Sequence, residues 1–97
     1  LDEAERLILE ALKQFPENPC FIDTHGYVLY KKGSFKEALE LCLKAEQLAG
    51  KGRWENDVLA EIKEHIADAY EKLGDAEKAK EYRAAAKALA GETPAAE

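Results

Sequence analysis

Apolar residues recur along this chain at steps of three and four positions, the spacing that places side chains on one face of an α-helix. Similar stripes occupy residues 21–30, 35–45 and 58–73, and a weaker one, rich in alanine and lysine, runs from residue 75 to about residue 90. The pattern predicts five helices and an all-α fold class. The first stripe stops before Pro16 and contains Leu1, Ala4, Leu7, Ile8, Ala11, Leu12 and Phe15.

Residues suited to helix starts stand in front of the later stripes. Asn18 is a favourable N-cap and is followed by Pro19 at the first helical position, where the missing amide costs nothing. Ser34 and Glu37 have the spacing of a capping box, in which each side chain satisfies a backbone amide of the other residue. The predicted caps of the last two helices are Asn56 or Asp57 and Asp75.

The helical segments repeat one another at a nearly fixed spacing. Glu3, Ala4 and Ala11 recur 34 positions later. Residues 33–38 are matched by residues 74–79, a shift of 41, so the last copy carries an insertion of seven residues. A period near 34 indicates stacked helix pairs, in which neighbouring units supply each other's core. Such arrays generally bind other molecules, so we expect a binding protein.

Composition narrows the choice of partner. The net charge is -6 and the chain has no cluster of lysine and arginine, so we expect no nucleic-acid binding, which depends on such clusters. No apolar run is long enough for membrane insertion. Cys20 and Cys42 are too few for a disulfide framework or a zinc site and are interpreted as free thiols.

The predicted organisation is one domain over residues 1–90. Because the chain begins at Leu1, contains no methionine and enters the repeat halfway through, we expect a fragment of a longer array, whose compartment the sequence does not indicate. The array is expected to stop after the polar fifth helix. The parts are a truncated repeat (1–18), a full repeat (19–49), an inserted loop (50–56), a full repeat with a capping helix (57–90) and a disordered tail (91–97).

These residues match a known pattern: the chain resembles the tetratricopeptide repeat family, and in detail the C-terminal repeats of long bacterial arrays. Gly26 stands at the small residue for close helix crossing, and Gly33 at the turn between the paired helices. The resemblance implies an α-α superhelix of about two and a half repeats. Further matches are Ala38 and Ala45, the run 16–19, Ala67, Tyr70, Gly74, Ala79 and Ala86, and in the first half-copy Ala4 and Ala11.

The resemblance also implies a concave groove lined by the first helix of each pair. Carboxylates outnumber lysines five to two on the implied face, so the groove is expected to be acidic. The implied groove residues are Cys20, Asp23, Thr24, Tyr27, Tyr30 and Lys31 on the second helix, and Glu61, Glu64, His65, Asp68, Glu71 and Lys72 on the fourth.

An acidic groove departs from the family's chaperone-binding members, which hold a terminal carboxylate with lysine, arginine and asparagine. We therefore expect a basic or neutral peptide or partner surface, with Tyr27 and Tyr30 as aromatic anchors. One alternative is that this face is only a solvated surface. Another is that the chain is the structural capping end of a longer superhelix, without a ligand of its own.

Other side chains have simpler interpretations. His65 with Glu61 and Asp68 could bind a divalent metal, but such spacing more often supports a helix through ion pairs. His25 is interpreted as a hydrogen-bonded core residue, and no nucleophile motif or phosphate loop occurs, so neither an enzyme nor a cofactor is expected.

Two apolar features lie outside the main pattern. Trp54 is expected to fold over the seam between the third and fourth helices, with a partner contact as the alternative. Leu9 lies off the main stripe of the first helix, which suggests self-association through that helix.

Overall fold

The computed structural model describes residues 2–52 and 54–90, and all regular secondary structure in this part of the chain is helical. The prediction of an all-α chain with five helices is thereby confirmed. Leu1, Arg53 and the predicted tail at 91–97 lie outside the described residues. The helices are α1 (Asp2–Gln14), α2 (Pro19–Lys31), α3 (Phe35–Gly50), α4 (Asn56–Lys72) and α5 (Ala76–Leu89).

Two of the predicted N-caps are confirmed. The side-chain oxygen of Asn18 accepts hydrogen bonds from the amides of Cys20 and Phe21, at 2.9 and 3.2 Å, and Pro19 is the first residue of α2. Asp75 accepts a hydrogen bond from the amide of Lys78 at 3.1 Å. In both helices the cap satisfies amides that have no partner inside the first turn.

The other two predictions hold in part or fail. Ser34 is the N-cap residue of α3 as predicted, but the capping box does not form: its hydroxyl caps no amide, and its own amide donates to the carbonyl of Leu29 at 2.9 Å rather than to Glu37. In α4 the N-cap position belongs to Glu55, and Asn56 is already the first helical residue. Asp57 therefore lies in the first turn, where a carboxylate still interacts favourably with the helix dipole.

The turns after α2 and α4 have the same geometry. Gly33 and Gly74 both have φ of 93°, a left-handed conformation that glycine adopts without a side-chain penalty. The next residue in each turn donates its amide to the carbonyl five positions earlier, Ser34 to Leu29 and Asp75 to Tyr70, at 2.9 Å. Both connections are Schellman motifs, so each helix reverses into the next with the same local geometry.

Each helix packs against its neighbours in the chain, and α2 also contacts α4. Gly26 permits the close crossing of α2 and α3, because a Cβ atom there would lie 2.9 Å from Sγ of Cys42 and 3.2 Å from the carbonyl oxygen of Ala38. The central core is built from α2, α3 and α4. Its buried members are Ile22, Cys42, Ala45, Ala49, Ile62 and Ile66.

The inserted segment contributes to this core through Trp54. Its side chain is half-buried and packs against the core cluster, as expected for a residue that folds over the α3–α4 seam. None of the described helices is both long and apolar enough to cross a membrane.

Helix α1 is only partly covered, because it packs on α2 alone. Ile8 is buried, whereas Leu7 and Phe15 are each 55% exposed and Leu9 is 43% exposed. Among the described residues no second helix covers α1, so part of its apolar stripe remains exposed.

Polar contacts supplement the packing of α1 on α2. Glu5 on α1 accepts a hydrogen bond from Lys32 at 2.6 Å and lies 3.7 Å from Nε2 of His25. His25 is thus half-buried at the α1–α2 contact and faces a carboxylate, a more polar setting than the expected core position. The hydrogen bond from Lys32 is the main cause that lowers the pKa of Glu5.

Candidate functional site

A cavity of about 410 Å³ lies between α2 and α4 and is called the α2–α4 cavity below. Each helix lines it with residues at positions i, i+3, i+4 and i+7, the spacing of a single helix face. The two faces oppose each other because α2 contacts α4 directly. The lining residues are Cys20, Asp23, Thr24 and Tyr27 of α2, and Val58, Glu61, Ile62 and His65 of α4.

A buried ion pair connects the two walls. Nδ1 of His65 lies 2.9 Å from both carboxylate oxygens of Asp23. An ionised carboxylate only accepts hydrogen bonds, so Nδ1 carries the hydrogen and donates it. The expected exposure of Asp23 is therefore wrong: the residue is 5% exposed, because its carboxylate turns inward to meet an imidazole from the neighbouring helix.

The surroundings of His65 favour its charged form. Burial lowers the pKa of the imidazole, but the hydrogen bond and charge of Asp23, aided by Glu61 and Asp68, outweigh this effect. The pKa of His65 is therefore raised above its ordinary value of 6.5. The Asp23 carboxylate also acts on Cys42 of α3. Burial is the main cause that raises the pKa of the Cys42 thiol, and the charge of Asp23 raises it further.

Tyr27 fixes the orientation of the imidazole. Its ring stacks on that of His65, with centroids 4.3 Å apart and an interplanar angle of 22°. Tyr30 stacks behind it at 5.9 Å, and Nζ of Lys31 lies 5.3 Å from the Tyr27 centroid. Tyr27 and His65 together form a rigid end wall of the α2–α4 cavity.

The remaining lining combines apolar and acidic surface. Ile62 is buried and Val58 half-buried, whereas Thr24 and Glu61 are exposed. The Thr24 hydroxyl donates to the carbonyl of Cys20 at 2.8 Å. Burial, followed by the charges of Asp23 and Glu61, raises the pKa of the Cys20 thiol. The thiol is therefore kept protonated, and the electrostatic potential at this end of the cavity is negative.

Three of the expected groove carboxylates belong to a different surface. Asp68 and Glu71 each accept a hydrogen bond from Arg83 of α5 at 2.8 Å. Glu64 and Asp68 line a smaller cavity with Arg83 and Lys87. The groove was expected to be acidic over its whole face. Arg83 of α5 and the imidazole of His65 compensate part of this charge, so the acidic region is smaller than expected.

The other expected groove residues lie beyond the cavity. Tyr30 packs edge-on against Phe35 of α3 at 5.4 Å, so it is a packing residue as well as a neighbour of Tyr27. Lys31 extends over Tyr27, and Lys72 lies 5.8 Å from the Phe35 centroid. Of the twelve implied groove residues, six line the α2–α4 cavity: Cys20, Asp23, Thr24, Tyr27, Glu61 and His65.

The arrangement has no features of a metal site or a nucleophile. Across residues 2–52 and 54–90, no group of three His, Cys, Asp or Glu side chains could hold a metal ion. His65, Glu61 and Asp68 do not form such a group, so the suggested metal site is not supported. The raised pKa of Cys20 likewise disfavours the thiolate that nucleophilic chemistry requires.

Sequence reasoning missed three residues at these surfaces: Val58, Ile62 and Arg83. The first two were assigned to the inward stripe of the fourth helix, and they do pack inward while also forming the cavity floor. Arg83 follows Asp68 by 15 positions on a separate helix, so no local spacing signals their contact.

Comparison of the chain with protein-family models, curated proteins and solved structures gave no match.

Proposed function

We propose that the chain is a tetratricopeptide-like stack of helix pairs and that its α2–α4 cavity binds a segment of a partner protein. The observation that carries the proposal is the cavity itself, which combines an apolar floor with a few fixed polar groups. That combination is typical of sites in which apolar surface binds the ligand and a few hydrogen bonds fix its orientation.

The repeat assignment is supported by local geometry that recurs with the sequence period. The turns at Gly33 and Gly74 have the same φ and the same hydrogen bonds, 41 residues apart. Gly26 and Ala67, at equivalent positions of α2 and α4, are both buried. The contact of α2 with α4 is the one expected if the first helices of successive pairs lie side by side.

Binding is supported by the contacts that connect the walls of the cavity. The Asp23–His65 pair and the Tyr27 stack hold the walls in one arrangement, so little order has to be gained when a ligand enters. Thr24 and Glu61 remain exposed at the opening and are free to contact an incoming chain. We propose a basic or neutral segment, with Tyr27 as the aromatic contact.

Cys20 offers a direct test, because it lines the cavity while Cys42 is buried at 1% exposure. Peptides selected from a random display library against the native chain are measured by fluorescence anisotropy. We expect them to lose affinity when a bulky maleimide is attached to Cys20. The matched control is Cys20→Ser with Ala84→Cys, labelled at the exposed position on α5, which should bind normally.

Equal binding to both labelled chains, or the absence of any selectable peptide, would contradict the proposal. Circular dichroism of the labelled chains checks that the modification leaves the helices intact.

A second candidate is the structural end of a longer superhelix, and the surface of α5 favours it. Only Ala79 and Ala86 of this helix are buried, and its outer face exposes Lys80, Ala84 and Lys87. A terminal repeat needs such a polar outer face. If α5 is a cap, its polar outer face should prevent association of the native chain through this surface. The combined substitutions Lys80→Leu, Ala84→Leu and Lys87→Leu should therefore cause association, which light scattering measures.

A further inference from the structure

We propose that the α2–α4 cavity accepts one arginine side chain of the partner, whose guanidinium pairs with Glu61 while its stem lies on Val58 and Ile62. The inference rests on the proposed function, because it specifies the chemistry of the residue that enters the same cavity. It specifies which side chain of the expected basic or neutral segment enters the cavity, namely one with a positive charge.

The charge of the cavity identifies Glu61 as the recognition group. Asp23 is compensated by His65, and Asp68 and Glu71 are compensated by Arg83. Glu61 lines the same cavity, is exposed, and pairs with no cation among residues 2–52 and 54–90. An entering cation would therefore meet one uncompensated carboxylate.

The thiol of Cys20 provides separate support for a negative potential inside the cavity. The charges of Asp23 and Glu61 add to burial in raising its pKa, so both carboxylates act on the volume that the ligand would occupy. A partner carboxylate would be repelled by the uncompensated Glu61, which disfavours an acidic segment or a chain terminus.

The apolar floor favours a long side chain over a small cation. Val58 and Ile62 lie one turn apart on α4, on either side of Glu61 along that helix face. Arginine and lysine bury their methylene stems on apolar surface while their charged groups remain at the opening. Arginine is favoured because its guanidinium is more weakly hydrated and can donate two parallel hydrogen bonds to one carboxylate.

The test uses two small probes, N-acetyl-arginine methylamide and its citrulline analogue, titrated into the ¹⁵N-labelled chain. Citrulline matches the shape of arginine but carries no charge, so the pair isolates the cation. We expect the arginine probe to shift the amide signals of Cys20, Thr24, Glu61 and Ile62, with affinity about tenfold above that of citrulline, the scale expected of a charged hydrogen bond.

Glu61→Gln should remove this tenfold preference while leaving the helical signal unchanged. Glu64→Gln is the matched control, since Glu64 lies on the same helix but lines the other cavity. Equal affinity for the two probes, or an arginine preference that survives Glu61→Gln, would overturn the inference.

The two proposals can fail separately. If selected peptides bind in the cavity and place no arginine beside Glu61, the arginine assignment is wrong and the binding function stands. If the arginine probe binds at Glu61 but labelling of Cys20 blocks no selected peptide, the cation site stands and the peptide-binding function is wrong.

Discussion

Nδ1 of His65 on α4 lies 2.9 Å from both carboxylate oxygens of Asp23 on α2, although the two residues are 42 positions apart in the chain. This pair joins the two helices that form the α2–α4 cavity. Breaking one half of a buried ion pair leaves the other charge uncompensated, so both residues are important for the α2–α4 contact.

Stability should depend on the protonation of His65. Its pKa in the folded chain is raised above the ordinary 6.5 that applies to the unfolded chain. The stabilisation is therefore complete below about pH 6.5 and is lost as the pH rises through the folded pKa. Thermal unfolding from about pH 5.5 to about pH 8.5 should show that the advantage of the native chain over His65→Gln shrinks as the pH rises.

Asp23→Asn provides the control for that experiment, because it removes the charge that raises the His65 pKa and nearly preserves the side-chain shape. In this background the effect of His65→Gln should vary much less with pH. A native advantage that stays constant over the whole range would contradict the role assigned to the pair.

Gly26 should tolerate no larger residue. In Gly26→Ala the new Cβ would lie 2.9 Å from Sγ of Cys42, so we expect a loss of about 1–3 kcal/mol of unfolding free energy despite the better helix propensity of alanine. Gly50→Ala is the matched control: beyond the backbone of its own helix, its new Cβ would meet nothing within 4 Å, and stability should not fall. Denaturant unfolding measures both changes.

Cys42→Ala removes the atom nearest to the added methyl group. The combined variant should therefore lose less stability than the sum of its two single changes, because the steric conflict is relieved. Strict additivity would show that the contact with Sγ of Cys42 is not what requires glycine at this position.

Trp54→Ala should destabilise the chain by about 1–3 kcal/mol, less than the value for a fully buried aromatic residue, because the side chain is half-buried against the core. Helical circular dichroism during denaturation measures the loss. Leu73→Ala, at a position 46% exposed, is the control and should have a smaller effect. Unchanged stability together with lost peptide binding would instead indicate a partner contact.

The exposed face of α1 should cause self-association. Leu7 and Leu9 lie on α1, which among the described helices packs on α2 alone, and Phe15 directly follows α1; each is between 43% and 55% exposed. We expect sedimentation to show association that increases with concentration and is lost when Leu7 and Phe15 are both replaced by glutamine. The isolated Leu73→Gln should leave it unchanged. A native chain that remains monomeric at all concentrations would contradict this prediction.

Local sequence signals predicted the helices well because they depend on nearby residues. Asn18 and Gly33 act within a few positions of themselves, and the structure confirms both. Ser34 is the N-cap residue of α3 as predicted, but its capping box with Glu37 does not form, since its amide is already used by the preceding turn.

The chemistry of the site depended on contacts between distant residues. Asp23 was expected on the surface, because nothing near it in the chain indicates an imidazole 42 positions away. The pairing of Asp68 with Arg83 was missed for the same reason. The implied groove contained six of the eight residues that line the α2–α4 cavity, whereas the charge of the cavity required the tertiary structure.

The central claim is that the α2–α4 cavity binds a partner segment, and chemical-shift mapping of a selected peptide on the ¹⁵N-labelled chain tests it most directly. We predict that the largest changes fall on α2 between Cys20 and Tyr27 and on α4 between Val58 and His65. Changes confined to the exposed surfaces of α1 or α5, with these two stretches unaffected, would contradict the claim.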